Sequence, residues 1–214
     1  MASPAVAVCA ARPSARLVLG TVSLATFFVS LSSSTLSVAV PAIVRHFDAS
    51  ALTATFIVLT PSAVSTSLML IMGRVGDIAG RRAAYLAGIS GFTLASLLAG
   101  IAPTPVLLLC LQACQAVGPA VIWANSAAIL LDLLPADRIN HGLGIYIASI
   151  SVAELIGPSV GGAIAGTAGW RWIFLLNVPV GVACWLLGRT VLQSRGRPER
   201  RASVDLPEIG RAHV

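Results

Sequence analysis

Gly73-Arg74-Val75-Gly76-Asp77-Ile78-Ala79-Gly80-Arg81-Arg82 is the stretch on which the fold turns. It sets three arginines and one carboxylate between two long apolar runs, residues 51–72 and 83–101. Gly73 and Gly80 permit a tight turn and close backbone approach, because glycine carries no Cβ. Asp77 lies within reach of Arg74, Arg81 and Arg82, so the stretch reads as a charge cluster in a short loop. Such a cluster can lock one conformation and release another. A plain positively charged loop beside a membrane would explain the arginines. It would not explain the spacing of the glycines and the aspartate.

Outward from this loop, the chain divides into six apolar spans, at residues 17–44, 51–72, 83–101, 106–131, 142–166 and 172–192. Each has about 19 residues or more, enough to cross ~30 Å of hydrocarbon at ~1.5 Å per residue. Short polar separators stand between them, such as Arg45-His46-Phe47-Asp48 and Ala102-Pro103-Thr104-Pro105. Of the 214 residues 57% are hydrophobic and only 10% charged, with mean hydropathy +0.90. Soluble domains average about 25% charged residues, so this apolar surface calls for a bilayer. Arg12 and Arg16 ahead of an apolar stretch suggest a signal peptide, but the first span is longer than an h-region of about 7–15 residues and five more follow. The expected fold is therefore an all-α membrane protein of six transmembrane helices. Abundant Gly, Ala and Ser in the spans suit helices packed closely in lipid. Trp123, Trp170, Trp172 and Trp185 are expected toward lipid or its interface, Trp170 and Trp172 in an outer aromatic belt.

Arginine placement orients the bundle. With both termini cytoplasmic, twelve of the fourteen arginines fall inside, and only Arg45 and Arg171 fall outside. This bias favours both ends inside. The net charge of +6 does not point to nucleic acid, since the arginines sit between apolar runs with no basic face or aromatic interleaving. Cys110 and Cys114, four apart within one span, suit neither a zinc site nor a disulfide framework and read as small buried side chains. No metal or organic cofactor is implied.

The stretch at 73–82 resembles the signature loop of the major facilitator superfamily, G-R-x-x-D-x-x-G-R-R. The resemblance implies a transporter in which Gly73, Arg74, Asp77, Gly80, Arg81 and Arg82 gate the cytoplasmic side by contacting an opposite six-helix half. Gly157-Pro158-Ser159-Val160-Gly161-Gly162 in the fifth span resembles the antiporter motif G-P-x-x-G-G of the superfamily's exporters. Pro158 removes a backbone donor and bends the helix, while Gly157, Gly161 and Gly162 admit a neighbouring helix. The same residues fit G-x-S-x-G, a hydrolase nucleophile elbow. That elbow needs a strand-to-helix turn with acid and histidine partners, and His46, His141 and His213 all lie in separators or tails. The chain is thus not expected to be an enzyme. Gly169-Trp170-Arg171-Trp172-Ile173-Phe174, with Asn177, Pro179 and Gly181, is similar to the sixth span of fourteen-helix drug:proton antiporters.

Two stretches depart from that pattern. In the first span Ser32 and Ser37 stand where the family has aspartate and asparagine. In the fourth Gln112 stands where it has arginine; Gln115 is retained and Ala116 replaces a glycine. Proton coupling through those positions is in doubt. Glu154 is then the one acid within a span. An intramembrane carboxyl is a functional candidate by default, and burial disfavours its charged form, which suits a proton carrier or a partner for a cationic substrate. Hydrogen bonding to a neighbouring helix is the structural alternative. Ser32, Ser34, Ser37, Gln112, Gln115 and Asn125, with Ser126, are candidates to line a polar cavity.

The implied activity is proton-coupled export of a small amphipathic or cationic compound by alternating access across a bacterial inner membrane. Its partners are the bilayer, protons, the substrate and the C-terminal half of the same transporter. A non-transporting or dimerising half-transporter scaffold is the alternative. The expected organisation is a cytoplasmic tail at 1–16, the bundle at 17–192 and an arginine-rich cytoplasmic linker at 193–207. Residues 208–214, Glu-Ile-Gly-Arg-Ala-His-Val, read as translated sequencing adapter, not as part of the fold.

Overall fold

The structure is a computed structural model and describes residues 15–192. The tail ahead of residue 15, the linker at 193–207 and the terminal string at 208–214 lie outside the described residues. The chain folds into α1 (Ala15–Phe47), α2 (Ala51–Ala79), α3 (Arg81–Gly100), α4 (Pro105–Leu133), α5 (Ile139–Thr167), α6 (Arg171–Leu175) and α7 (Asn177–Val191). A 3-10 turn at Ala136–Arg138 leads into α5. Helices α6 and α7 together make the sixth of six spans long and apolar enough to cross a membrane.

Local chemistry sets the helix ends. Ser50 caps α2, its side chain accepting from the Thr53 amide at 3.3 Å. Thr104 caps α4 in the same way, with Pro105 at the first helical position, where its missing N–H costs nothing. Asp48 closes α1 at φ 46°, a conformation that aspartate tolerates better than most residues.

Several helices outrun their apolar runs, because backbone hydrogen bonding continues past the hydrocarbon boundary. Helix α2 extends seven residues beyond Met72, and at ~1.5 Å per residue its 29 residues reach about 44 Å. The expected loop at 73–82 is therefore corrected. Gly73 to Ala79 are the last turns of α2, and Arg81 and Arg82 open α3. Gly80 alone separates them, at φ 96°, where a side chain would be strained. Gly73 makes no turn.

Helix α1 packs on α5 and α4, α3 on α4 and α7, and α2 on α4. Helices α2 and α5 are the least buried spans. The core divides in two. One apolar cluster joins Val22, Phe28, Tyr85, Ile89, Phe92 and Ile122. The other joins Leu36, Val40, Ile43, Leu108, Trp170 and Phe174 toward the opposite end. Between them, at mid-helix, lies a polar layer with Ser32, Ser96, Gln112, Gln115 and Asn177. Trp170 is buried in the second cluster, not in an exposed belt; Trp172 is half exposed. Cys110 and Cys114 are exposed on the bundle surface, contrary to the expectation of burial, and Cys184 is buried.

Candidate functional site: a mid-helix cavity and a charge cluster at one end

The charge cluster forms where α2, α3 and α4 end together. Arg81 Nε and Nη2 donate to Asp77 Oδ1 at 3.3 and 3.1 Å. Its Nη1 donates to the Ala128 carbonyl at 3.0 Å and to Asp132 Oδ2 in a close ion pair. The three expected arginines do not all converge on Asp77. Arg82 Nη2 instead reaches the Arg189 carbonyl at 3.0 Å, tying α3 to α7. Arg74 is exposed and makes no ion pair among the described residues. Asp132, which the sequence left in a separator, is the second carboxylate of the cluster.

All three charges stand at unfavourable helix ends. Asp77 and Asp132 lie in the last turns of α2 and α4, the negative ends of their dipoles, and Arg81 begins α3 at a positive end. The pairing offsets that cost while the helix ends stay together, and separation restores it. Exposed pairs contribute about 0–1 kcal/mol to stability, so the cluster biases a conformation more than it holds the fold. Gly76, inside the motif, is the position with least room. A Cβ there would sit 1.7 Å from Asn125 Oδ1. Asn125 is therefore not a cavity residue. It packs under α2, donating to the Met72 and Val121 carbonyls at 3.3 and 2.8 Å.

A cavity of about 300 Å³ opens at mid-helix between α1, α2, α4 and α6. Ser32, Ser37, Gln112 and Gln115 line it, with Ser62, Ser65 and Thr66 from α2 and the rings of Phe92, Trp123 and Phe174. No charged side chain lines it. Ser34 points elsewhere, donating to the Glu154 carbonyl at 3.0 Å. Gln115 Nε2 donates to Ser96 Oγ at 2.6 Å, and Asn177 Nδ2 donates to Ser32 Oγ at 2.7 Å. Asn177 thus holds the cavity wall from α7. Its motif marked it in the sequence, but nothing there named its partner.

Helix α5 lies against α1 through glycine. A Cβ on Gly157 would meet Ser34 Cβ at 2.5 Å, and one on Gly161 the Thr35 carbonyl oxygen at 2.5 Å. Gly162 has ordinary room, with Val38 at 3.8 Å. The helix continues through Pro158, which is exposed, as is Ser159. Ser159 thus stands mid-helix and not on a strand-to-helix turn, which removes the nucleophile elbow. Glu154 is exposed on α5. The burial expected for its carboxyl is not supplied by these six spans; α1 reaches the residue through the Ser34 hydrogen bond to its backbone carbonyl. Among the described residues no group of His, Cys, Asp or Glu could hold a metal ion.

At the opposite end Arg171 stacks over Trp170 at 4.5 Å and lies 3.0 Å from His46 Nε2. Its Nη2 donates to the Ala102 carbonyl at 3.2 Å, tying α6 to α1 and to the turn that follows α3.

An all-helical six-span bundle with a polar mid-membrane cavity and a charged helix-end cluster is the architecture of a small-molecule membrane transporter. The description of the Major Facilitator Superfamily matches residues 22–212, and the chain belongs to that family. It is a multi-pass membrane protein of a transporter family and not an enzyme. It is 32% identical over 185 residues to the puromycin resistance protein pur8 of Streptomyces alboniger, covering 86% of this chain and 36% of that protein. It is 29% identical over 193 residues to the riboflavin transporter RibZ of Clostridioides difficile, covering 90% of this chain and 42% of that one. The chain therefore spans less than half the length of these relatives. In fold it is similar to the inward-facing, unoccupied crystal structure of a bacterial homolog of the human lysosomal transporter Spinster. That match has TM-score 0.68 and 19% identity, and covers 86% of this chain and 46% of that one.

Proposed function

We propose that these six spans are the N-terminal half of a proton-driven exporter of small molecules in a bacterial inner membrane, with both chain ends cytoplasmic. The observation that carries this reading is the polar mid-helix cavity walled on one side by α2, the least buried of the six spans. A second six-helix half covering that face would close the cavity and leave a site between two rocking halves. The cluster of Asp77, Arg81 and Asp132 would latch the cytoplasmic end in one state, with Arg74, Gly73, Gly80 and Arg82 shaping the surface that meets the other half. The α1–α5 contact at Gly157 and Gly161 supports export, since it is the exporter-like motif that brings the two helices together. The name of the puromycin resistance relative agrees with export, and that of the riboflavin relative speaks for transport alone.

Glu154 is the proton carrier in this reading. Its exposed carboxyl on α5 would be covered by the second half, and an acid placed within a membrane span is a functional candidate.

Proteoliposomes holding the full-length transporter, loaded with a panel of cationic and neutral small molecules that includes ethidium and 4-fluorobenzamide, and given an imposed pH gradient, test the proposal. Movement of any of them that stops when a protonophore collapses the gradient supports it. Movement indifferent to the gradient, or no movement of any compound, contradicts it. A scaffold formed by two copies of this chain would show the second result together with a dimer in native mass spectrometry.

A further inference from the structure

We infer that the mid-helix cavity selects an uncharged ligand bearing an amide-like edge, a donor beside an acceptor as in a carboxamide or lactam, and that Gln112 reads that edge. The inference rests on the reading of these spans as half of a transporter.

Gln112 is fully buried, and neither Nε2 nor Oε1 has a hydrogen-bond partner in the protein. Its neighbour Gln115 is satisfied by Ser96, and Asn177 by Ser32. The neighbouring amides of the wall are thus held by hydrogen bonds, and Gln112 is the one amide there that could still exchange a pair of them. A buried primary amide left without partners is costly. Turning into the cavity to meet a ligand removes that cost. An edge with one donor and one acceptor satisfies both atoms at once, as a glutamine does bidentately with adenine.

A second group on the same face points the same way. Trp123 lines the cavity, and its indole N–H is buried and unpartnered. Residues 112 and 123 are eleven apart on α4, close to three helical turns, so both stand on one side of the helix. The cavity therefore offers two donor groups, the Gln112 amide and the Trp123 indole N–H, and one acceptor that the protein leaves without partners.

The wall also argues against charge. No carboxylate lines the cavity to neutralise a cation, and no arginine lines it to neutralise an anion. A cation could rest on the faces of Phe92, Trp123 or Phe174. It would still forfeit its hydration at mid-membrane without a counter-charge, and it would leave the Gln112 amide donor unmet. Serine and threonine hydroxyls from α1 and α2 can serve either role toward a neutral molecule.

The probes are 4-fluorobenzamide and 4-fluorobenzamidinium, which share shape and differ in charge and edge. Their binding to the full chain in lipid nanodiscs is read by fluorine NMR. The amide should bind the wild type about tenfold more tightly or better, the factor expected when one partner set is left unmet. Gln112→Leu, which replaces an unpaired amide by an apolar side chain of similar size, should fold and lose that preference. Gln112→Met provides a second variant with the same expectation. Equal or tighter binding of the benzamidinium overturns the inference, as does a preference that survives both variants, or no binding of either probe. Proton-driven flux of the cationic and neutral panel reports on the transport reading separately. Flux without amide preference rejects only the ligand class, whereas amide binding by a chain that moves nothing rejects only transport.

Discussion

Replacing Gly161 by alanine should loosen the α1–α5 contact, whereas the same change at Gly162 should not. The added Cβ at Gly161 would lie 2.5 Å from the Thr35 carbonyl oxygen, 2.9 Å from Thr35 Cγ2 and 3.0 Å from Thr35 Cα. Carbon atoms pack at about 3.5–4.0 Å, so the helices must part by most of an ångström. The backbone of α1 cannot swing aside as a flexible side chain would. Overpacking of this kind costs about 1–3 kcal/mol. Parting the helices also weakens the Thr35 bond to the Gly157 carbonyl at 3.3 Å and the Ser34 bond to the Glu154 carbonyl at 3.0 Å. Such interhelical bonds average about 0.6 kcal/mol in membranes. Against this, alanine is favoured over glycine in a helix by about 1 kcal/mol. The net for Gly161→Ala is a loss of roughly 1–3 kcal/mol. At Gly162 the nearest atom is 3.8 Å away, so Gly162→Ala should be neutral or gain up to about 1 kcal/mol. Unfolding in mixed detergent–SDS micelles, followed by far-ultraviolet circular dichroism, measures both. Equal midpoints for the two variants would refute the assignment of close packing to Gly161.

Gly76→Ala should destabilise the α2–α4 contact by about 1–3 kcal/mol, because its Cβ would overlap Asn125; adding Asn125→Ala should restore part of the loss in the same unfolding assay. Asp77→Asn should change stability by less than about 1 kcal/mol, as expected for an exposed pair, yet abolish proton-driven flux in the full transporter with membrane insertion intact; wild-type flux would sink its gating role. Asp132→Asn should resemble Asp77→Asn, since both carboxylates hold Arg81, and a normal rate would remove it from the latch. Glu154→Gln should lose proton-driven flux while still binding ligand, and an unaltered pH dependence would remove Glu154 from the mechanism.

The six spans were legible because hydropathy alone dictates them, and their number and apolar length agree with the helices found. Their ends were not. Apolar windows stop at the first charges, while α2 keeps its helical bonds through Arg74 and Asp77 to Ala79. The spacing of Asp77 and Arg81, four apart, carried the hint of a helical pair. Asp132 was out of reach for a different reason: it arrives beside Arg81 only when α3 packs on α4. Side-chain direction explains the split among the serines. Ser32 and Ser34 are two residues apart on one helix and so face different sides, Ser32 the cavity and Ser34 α5. That Gln112 is unpartnered and Gln115 is not depends on where Ser96 falls, which no local pattern in α4 records.

In the proposed transport cycle the mid-helix cavity opens alternately to the two faces of the membrane. Ser37, exposed at the cavity wall, is the position to probe. A Ser37→Cys variant lacking Cys9, Cys110, Cys114 and Cys184 can be treated, in the membrane where the full transporter operates, with an impermeant thiol reagent. The reagent is applied from one side and then, in inverted vesicles, from the other. Alternating access predicts labelling from both sides, with ligand or a pH gradient shifting the balance between them. Labelling from one side alone under every condition would contradict it.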